Sequence, residues 1–303
     1  MPPAGILSDG PRPLSGSFYE LVQLKNGTWS VRSVAEGETF HPVIGPVAEA
    51  EALYVRQLRL AERFAAARGE FVLWDVGLGA AANVLTALRA VAGTAGRIRV
   101  MSFDHTLEPL RFALGAPDRL EFIAGFEPAL RQLLAGGRAE FRHGSAEVCW
   151  ETRLGDFPSL LSAAAASDWP APHAILFDAY SPARNAAMWT RPLFARLREL
   201  AGAECTLATY SRATILRTTL LLAGWFVGAG HATGEKEETT LAATQRELLA
   251  EPLPRVWLER VRRSTSAEPL EEPVYRQAPL SAMNWERLGR HPQFLSAAAP
   301  PAS

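Results

Sequence analysis

Carboxylates recur in this chain at the ends of apolar runs. Asp75 follows Phe71-Val72-Leu73-Trp74, Asp104 closes the run from Arg97, Asp156 closes the run from Glu147, and Asp178 follows Ala174-Ile175-Leu176-Phe177. Apolar runs without polar alternation read as strands covered on both faces, as in a parallel sheet. Ligands of open α/β sheets bind outside the carboxyl ends of the strands. Four acids at four such ends are therefore expected to converge on one crevice, where a carboxylate accepts hydrogen bonds from hydroxyls and amines or takes up a proton. Asp156, two residues before Pro158, also reads as a helix N-cap.

The turn after Asp75 narrows the ligand class. Gly77, Gly79 and Ala82 satisfy G-x-G-x-x-G/A, in which the glycines permit a tight turn and close approach, and the helix that follows offers unpaired N–H groups. Glycines at that spacing also occur where a strand merely turns into a helix. Asp104, however, lies about where such folds place an acid for ribose hydroxyls, so a nucleoside is the working ligand. A second focus is Asp178-Ala179-Tyr180-Ser181-Pro182-Ala183-Arg184-Asn185, in which the proline forces the chain out of the sheet directly beyond an acid.

The elements that position these residues alternate between strand and helix from residue 70 onward, the mark of a parallel α/β sheet. Ala80 to Val91 reads as the first crossover helix, and the segment from Trp225 to Arg246 reads as an antiparallel hairpin because its connecting loop is too short for a crossover. Ahead of the sheet, Asn26-Gly27 joins two β-like runs into a hairpin, and one amphipathic helix is expected over residues 47–68. His41, before Pro42 in the loop between them, and Glu49, which opens the helix, read equally as capping or structural residues or as ligand contacts. Trp189, at helical spacing from Leu193 and Leu197, reads as core. The expected domains are a flexible leader over 1–16, a hairpin and helix over 17–69 packed on the core, the α/β domain over 70–250 and an appended tail over 251–303. Arginines 260, 262 and 263 of the tail read as a solvated helix face.

Composition sets the outer bounds. The chain has 303 residues, 48% of them hydrophobic, enough for a sizeable core. A net charge of −1 gives no chain-wide attraction to nucleic acid or membrane, so any RNA contact must be local. Lysine occurs only at Lys25 and Lys236. Two widely spaced cysteines, no signal-peptide pattern and no apolar run of about 18 residues point to a cytoplasmic protein without membrane or metal.

Several blocks together resemble the MnmC-like methyltransferases that act on the modified wobble uridine of tRNA. WDVGLGAAAN is similar to that family's acid-x-G-x-G-T-G-x-N, with Ala80-Ala81 in place of Thr-Gly. FDAYSPARNAAMW is similar to D-G-F-S-P-x-K-N-P-x-M-W, with Ala179 in place of Gly, and LATYSRATILRTTLLLAGW is similar to the strand-helix block that follows. GETFHPVIGPVAEAEALYV and GEKEETTLAA resemble stand-alone members lacking the FAD oxidase half. The likeness covers roughly residues 35 to 245.

The resemblance implies a Rossmann-like class I methyltransferase fold, S-adenosylmethionine as cofactor, and methylation of an aminomethyl group on uridine in a tRNA anticodon stem-loop. It implies cofactor contacts at Asp75, Gly77, Gly79 and Asn83 around the methionine part, Asp104 at the ribose and Asp156 near adenine. Asp178 matches the acid beside the acceptor amine. Tyr180 is expected to wall the acceptor base, with Ser181, Pro182, Arg184, Asn185 and Lys236 on the substrate side. Two other readings stand beside it: a polyamine-type aminopropyltransferase, which shares the fold and an acid-x-x-x-Pro loop, and a methyltransferase-like RNA-binding scaffold without turnover, motivated by Ala80-Ala81 and the acidic residues around Lys236. Oligomeric state is not encoded in any of these features.

Overall fold

The chain folds around an eight-stranded sheet in a computed structural model that describes residues 18–232 and 237–295. The expected leader over 1–16 lies outside the described residues. Ahead of the large sheet stands a three-stranded antiparallel sheet of β1 (Tyr19–Gln23), β2 (Trp29–Ser33) and β3 (Glu38–Thr39). Its β1–β2 turn holds Asn26 and Gly27, where Gly27 takes φ +86°.

Next come α1 (Pro46–Ala50), a π-helical turn over Glu51–Arg56 and α2 (Leu60–Ala66), where the sequence predicts one continuous helix. Two features break the expected helix. Ala52, Leu53, Tyr54 and Val55 are all buried in succession, a demand that a one-faced α-helix cannot meet, and Arg59 then turns left-handed at φ +53° before the chain re-enters helix.

The large sheet is built from β4 (Glu70–Val76), β5 (Gly96–Asp104), β6 (Arg138–His143), β7 (Ala146–Leu154), β8 (Ala174–Phe177), β9 (Thr206–Thr209), β10 (Phe226–Gly230) and β11 (Thr239–Ala243). Its strand order is β10-β11-β9-β8-β4-β5-β7-β6. β4, β5, β7, β8 and β9 run parallel, and the C-terminal hairpin β10–β11 is antiparallel as expected. From β4 the chain first winds outward through β5 and β7 and then returns to add β8 on the other side. That reversal places a topological switch point at the carboxyl ends of β4 and β8. β6 was not expected from the sequence. It pairs antiparallel with β7 at the exposed edge, and its Arg138, Glu140 and Arg142 mask the half-buried alternation of the intervening residues.

Helices cover both faces. On one face α1, α2, α3 (Ala82–Val91), α4 (Glu108–Leu114) and α5 (Glu127–Gly136) bury residues such as Leu60, Leu85, Leu110 and Leu130 against the sheet. On the other lie α6 (Phe157–Ser162), α7 (Arg191–Leu200) and α8 (Thr214–Leu222). Trp189 packs edge-on against Phe177 and Tyr210 in that second core, as read from its spacing.

Residues 251–295 carry α9 (Leu258–Arg263) and α10 (Ala282–Gly289). They share the second core through Trp257, Leu288 and Phe294. Buried Gln293 binds the backbone of Val227 through both its amide nitrogen and oxygen, and also donates to Leu253. This segment is packed in rather than simply appended. Among the described residues, no helix is long and apolar enough to cross a membrane.

Candidate active site

The cleft at the switch point has a volume of about 740 Å³, within the range of about 300–1,000 Å³ that small-molecule sites occupy. Gly77 makes it possible. β4 and β8 run parallel to their ends, and a Cβ on Gly77, at φ +94°, would lie 2.6 Å from the carbonyl oxygen of Asp178. The glycine is required because it meets the Asp178 backbone, a contact that pattern matching alone assigns to a ligand. Gly79, at φ +51°, similarly faces the Phe40 ring, which a Cβ would meet at 3.2 Å.

Asp104 ties this turn to the next strand. Its Oδ2 accepts from the Gly79 N–H at 3.0 Å, and Oδ1 accepts from the N–H of His105 at 2.7 Å. The His105 ring also hydrogen-bonds Asp104, and this raises its pKa. Asp156 lines the cleft and also caps α6, with Oδ2 accepting from Ser159. The N-cap reading is thus seen directly, and the acid also faces the cleft.

Asp75 departs from expectation. It is 1% exposed and absent from the cleft wall, because its side chain is held within the sheet by Ser102, which donates to Oδ2 at 2.7 Å and itself accepts from Trp150. Among the described residues Oδ1 has no hydrogen-bond partner, and burial raises the carboxyl pKa to about 7. A buried carboxyl of this kind is a structural acid beneath the cleft floor.

Asp178 is the best-supported acid on the wall. Asn83 of α3 donates Nδ2–H to its Oδ2 at 2.7 Å, and His41 Nε2 stands 3.4 Å from the same oxygen and 3.0 Å from Asn83 Oδ1. Asn83, expected from the sequence at the cofactor, is bonded here to the acid. Burial on its own would raise Asp178, but the hydrogen bond and charge of His41, with Asn83, hold the carboxyl below its ordinary range. Burial would lower His41, and Asp178 outweighs it, so the imidazole titrates above its ordinary value. The pair is ionic.

Glu49 and Tyr54 close this cluster from below, both of them buried. Glu49 lies on α1 and Tyr54 five residues later in the π turn, and the charge of Glu49 acts on the Tyr54 hydroxyl. Burial first, and then the charge of neighbouring Asp178, push the Tyr54 hydroxyl well above its ordinary pKa. Sequence reading left His41 and Glu49 open and missed Tyr54. Their signal lay in a buried acid and tyrosine within one apolar helical stretch, which α-helical periodicity places on different faces.

Beyond Asp178, Tyr180 reaches the cleft with its ring 6.2 Å from Phe40, and burial raises its phenol pKa. Ser181 donates to Glu38 at 2.8 Å, and Arg184 stands 3.9 Å from the same carboxylate, so β3 is latched to the post-β8 loop. Asn185 lines the cleft, whereas Pro182 turns the chain without lining it. Lys236 lies outside the described residues. Tyr210, which the sequence did not single out, donates to the Ala179 carbonyl at 3.1 Å and lines the cleft beside Met188. The walls carry Glu36, Glu38, Glu49, Asp104, Asp156 and Asp178 against Arg184, His41 and His105. Such a surface favours cations. Among the described residues, no group of three or more His, Cys, Asp or Glu side chains is arranged to hold a metal ion.

Residues 139–245 match the family described as S-adenosyl-L-methionine-dependent methyltransferase. The chain is 29% identical over 235 residues to the tRNA 5-methylaminomethyl-2-thiouridine biosynthesis bifunctional protein MnmC of Methylibium petroleiphilum, covering 73% of this chain and 34% of that protein. It is 31% identical over 229 residues to the protein of the same name from Pseudomonas fluorescens, covering 67% and 33%. This chain is an S-adenosylmethionine-dependent methyltransferase related to the methyltransferase portion of MnmC. It spans about a third of the length of those curated relatives. The fold matches that of MNMC2 from Aquifex aeolicus with a TM-score of 0.68 at 21% identity, over 91% of this chain and 86% of that one.

The cleft fits that cofactor. Asp104 presents its carboxylate at the β5 end, and α3 starts without a side-chain cap, so its first N–H groups are available to an acceptor. The Ala80-Ala81 departure is accommodated as well: Ala81 itself takes the left-handed conformation, at φ +68°, that a glycine adopts without strain.

Two outcomes follow from this geometry. Ala81→Gly relieves a left-handed penalty of roughly 1–2 kcal/mol, partly offset by the greater freedom of unfolded glycine, so the variant is expected to match or exceed the parent in denaturant midpoint. A fall of more than about 1 kcal/mol would contradict a strained Ala81. Asp75 stays protonated in the fold up to about pH 7 but ionises near 3.8 when unfolded. Its stabilising effect is thus full below about pH 4 and lost as pH rises through about 7, a decline on the order of 2–3 kcal/mol between about pH 5 and 8. Asp75→Asn should flatten that slope in unfolding measured across pH, and an unchanged slope would place the titrating group elsewhere.

Proposed function

We propose that this methyltransferase N-methylates an aminomethyl group on the modified wobble uridine of tRNA, with the anticodon stem-loop presented at the cleft mouth. The observation that carries this reading is the ionised Asp178, fixed through one oxygen by Asn83 and set against the glycine turn. The names of the MnmC relatives, which refer to tRNA 5-methylaminomethyl-2-thiouridine biosynthesis, support the same acceptor.

S-adenosylmethionine supplies an electrophilic methyl group on a sulfonium. In this reading the Gly77–Gly79 turn and the α3 N-terminus bind its methionine end, Asp104 binds the ribose hydroxyls, and Asp156 offers its second oxygen toward adenine. Asp178 orients the acceptor amine and takes a proton from it, because an ammonium has no lone pair with which to attack. Tyr180 and Phe40 flank the base. Ser181, Arg184 and Asn185 face the nucleotide backbone, and the Glu38 latch must yield where a phosphate approaches Arg184. Lys236 is proposed as a further substrate contact. Alignment dominates this chemistry: fixing two reactants supplies up to roughly 7–11 kcal/mol, and a positioned base adds about 10²–10⁴-fold. The excess of acidic groups inside the cleft suits an ammonium acceptor and a sulfonium donor, and leaves the phosphates outside.

The test is single-turnover methyl transfer to tRNA carrying an aminomethyl wobble uridine. Asp178→Asn is expected to reduce the rate by about 10²–10⁴-fold while cofactor affinity stays within about threefold. Equal loss of both would contradict the role of Asp178. Failure of the wild-type protein to methylate this tRNA, with aminopropyl transfer from the decarboxylated cofactor to a diamine instead, would replace the proposed reaction.

A further inference from the structure

His41 belongs to the N-terminal segment, outside the sheet that carries the methyltransferase signature, and its placement is costly to the backbone. It has φ +51° and directly precedes Pro42, a position that disfavours helical conformations for an ordinary residue. Non-glycine residues held in the left-handed region cluster where a side chain must be aimed. This one is aimed at Asn83 and Asp178.

The hydrogen-bond directions are fixed by elimination. Asn83 turns its amide nitrogen to the Asp178 carboxylate, since the opposite orientation would oppose two oxygens. Its Oδ1 is then an acceptor only, so His41 Nε2, 3.0 Å away, must carry a hydrogen. That hydrogen is present whether the ring is neutral or charged. Only Nδ1 gains or loses a proton, so the charge beside Asp178 changes without loss of the hydrogen bond that holds the carboxylate's neighbour in place.

We propose that His41 is a positioning residue for methyl transfer, its Nε2–H locking Asn83 and Asp178 Oδ2 so that the other carboxylate oxygen is presented to the acceptor amine. This rests on the amine-methylation reading above. The acceptor enters as an ammonium and passes one N–H proton to the other Asp178 oxygen. Its lone pair then forms the N–C bond as the C–S pair returns to sulfur, leaving a neutral thioether and a secondary ammonium. Asp178 beside an imidazolium is a weak base, and beside a neutral ring a stronger one. Turnover should therefore rise with pH through the titration of His41. Asp178 beyond β8, Glu49 on α1, Asn83 on α3 and Asp75 on β4 face or act on that ring, and Tyr54 adjoins Asp178, so the apparent pKa belongs to the cluster.

The experiment compares His41→Leu with His41→Gln, whose amide N–H can replace Nε2–H but does not titrate. His41→Leu is expected to lose about tenfold or more in kcat, equivalent to roughly 1.4 kcal/mol, with cofactor Kd within about twofold. His41→Gln should recover most of kcat and lack the acid limb of the pH profile. Equal losses in both variants that follow their melting temperatures, or full activity in His41→Leu, would overturn the proposal. A substrate-free arm follows the His41 ring by NMR across pH: Asp178→Asn should lower its pKa by about one unit or more, and no change would likewise overturn the coupling. If wild-type protein fails to methylate aminomethyl-uridine tRNA, the acceptor assignment falls, while the NMR arm still decides whether His41 and Asp178 act as a pair.

Discussion

Two parallel strand ends meet so closely at Gly77 that no side chain fits between them. The 2.6 Å approach that a Cβ would make to the Asp178 carbonyl brings the cofactor turn and the candidate acceptor acid to one point. Much of the site's geometry follows from that contact. Asn83, on the first turn of the helix that the glycine loop begins, is thereby within reach of Asp178, and Tyr180 and Ser181 leave the sheet directly above the cleft. The switch point of the sheet order supplies the crevice, and the missing Cβ lets its two walls touch at their base.

The electrostatic arrangement separates acids by role through burial and partners. Asp75 is buried with a single donor and is raised toward neutrality, whereas Asp178, on the cleft wall with 22% of its side chain exposed, is held below its ordinary range by His41 and Asn83. A buried carboxylate persists as an anion only where hydrogen bonds and an opposite charge replace water. The N-terminal segment supplies that charge, along with Phe40 against the glycine turn and Glu38 on the post-β8 loop. That segment is part of the cleft wall.

The sequence carried the sheet and the strand-end acids clearly, because central strands are apolar without interruption and Asp75, Asp104, Asp156 and Asp178 punctuate them. It carried less of the rest. Asp75 has the same local pattern as Asp178, and only the cross-strand Ser102 sends its side chain into the sheet. The π turn depends on tertiary demand, with four successive residues buried, which helical periodicity cannot express. β6 was hidden by the charges of an exposed edge. Ala81 read as a departure from a glycine pattern, yet it adopts the glycine-like backbone, a compensation visible only in φ.

The central claim is that this cleft binds S-adenosylmethionine through the turn that Asp104 braces. Calorimetric titration of the protein and of Asp104→Ala with S-adenosylmethionine tests it most directly. The account predicts saturable one-site binding that the substitution weakens at least tenfold, about 1.4 kcal/mol. Binding that is absent from the folded wild-type protein, or indifferent to the loss of Asp104, would contradict it.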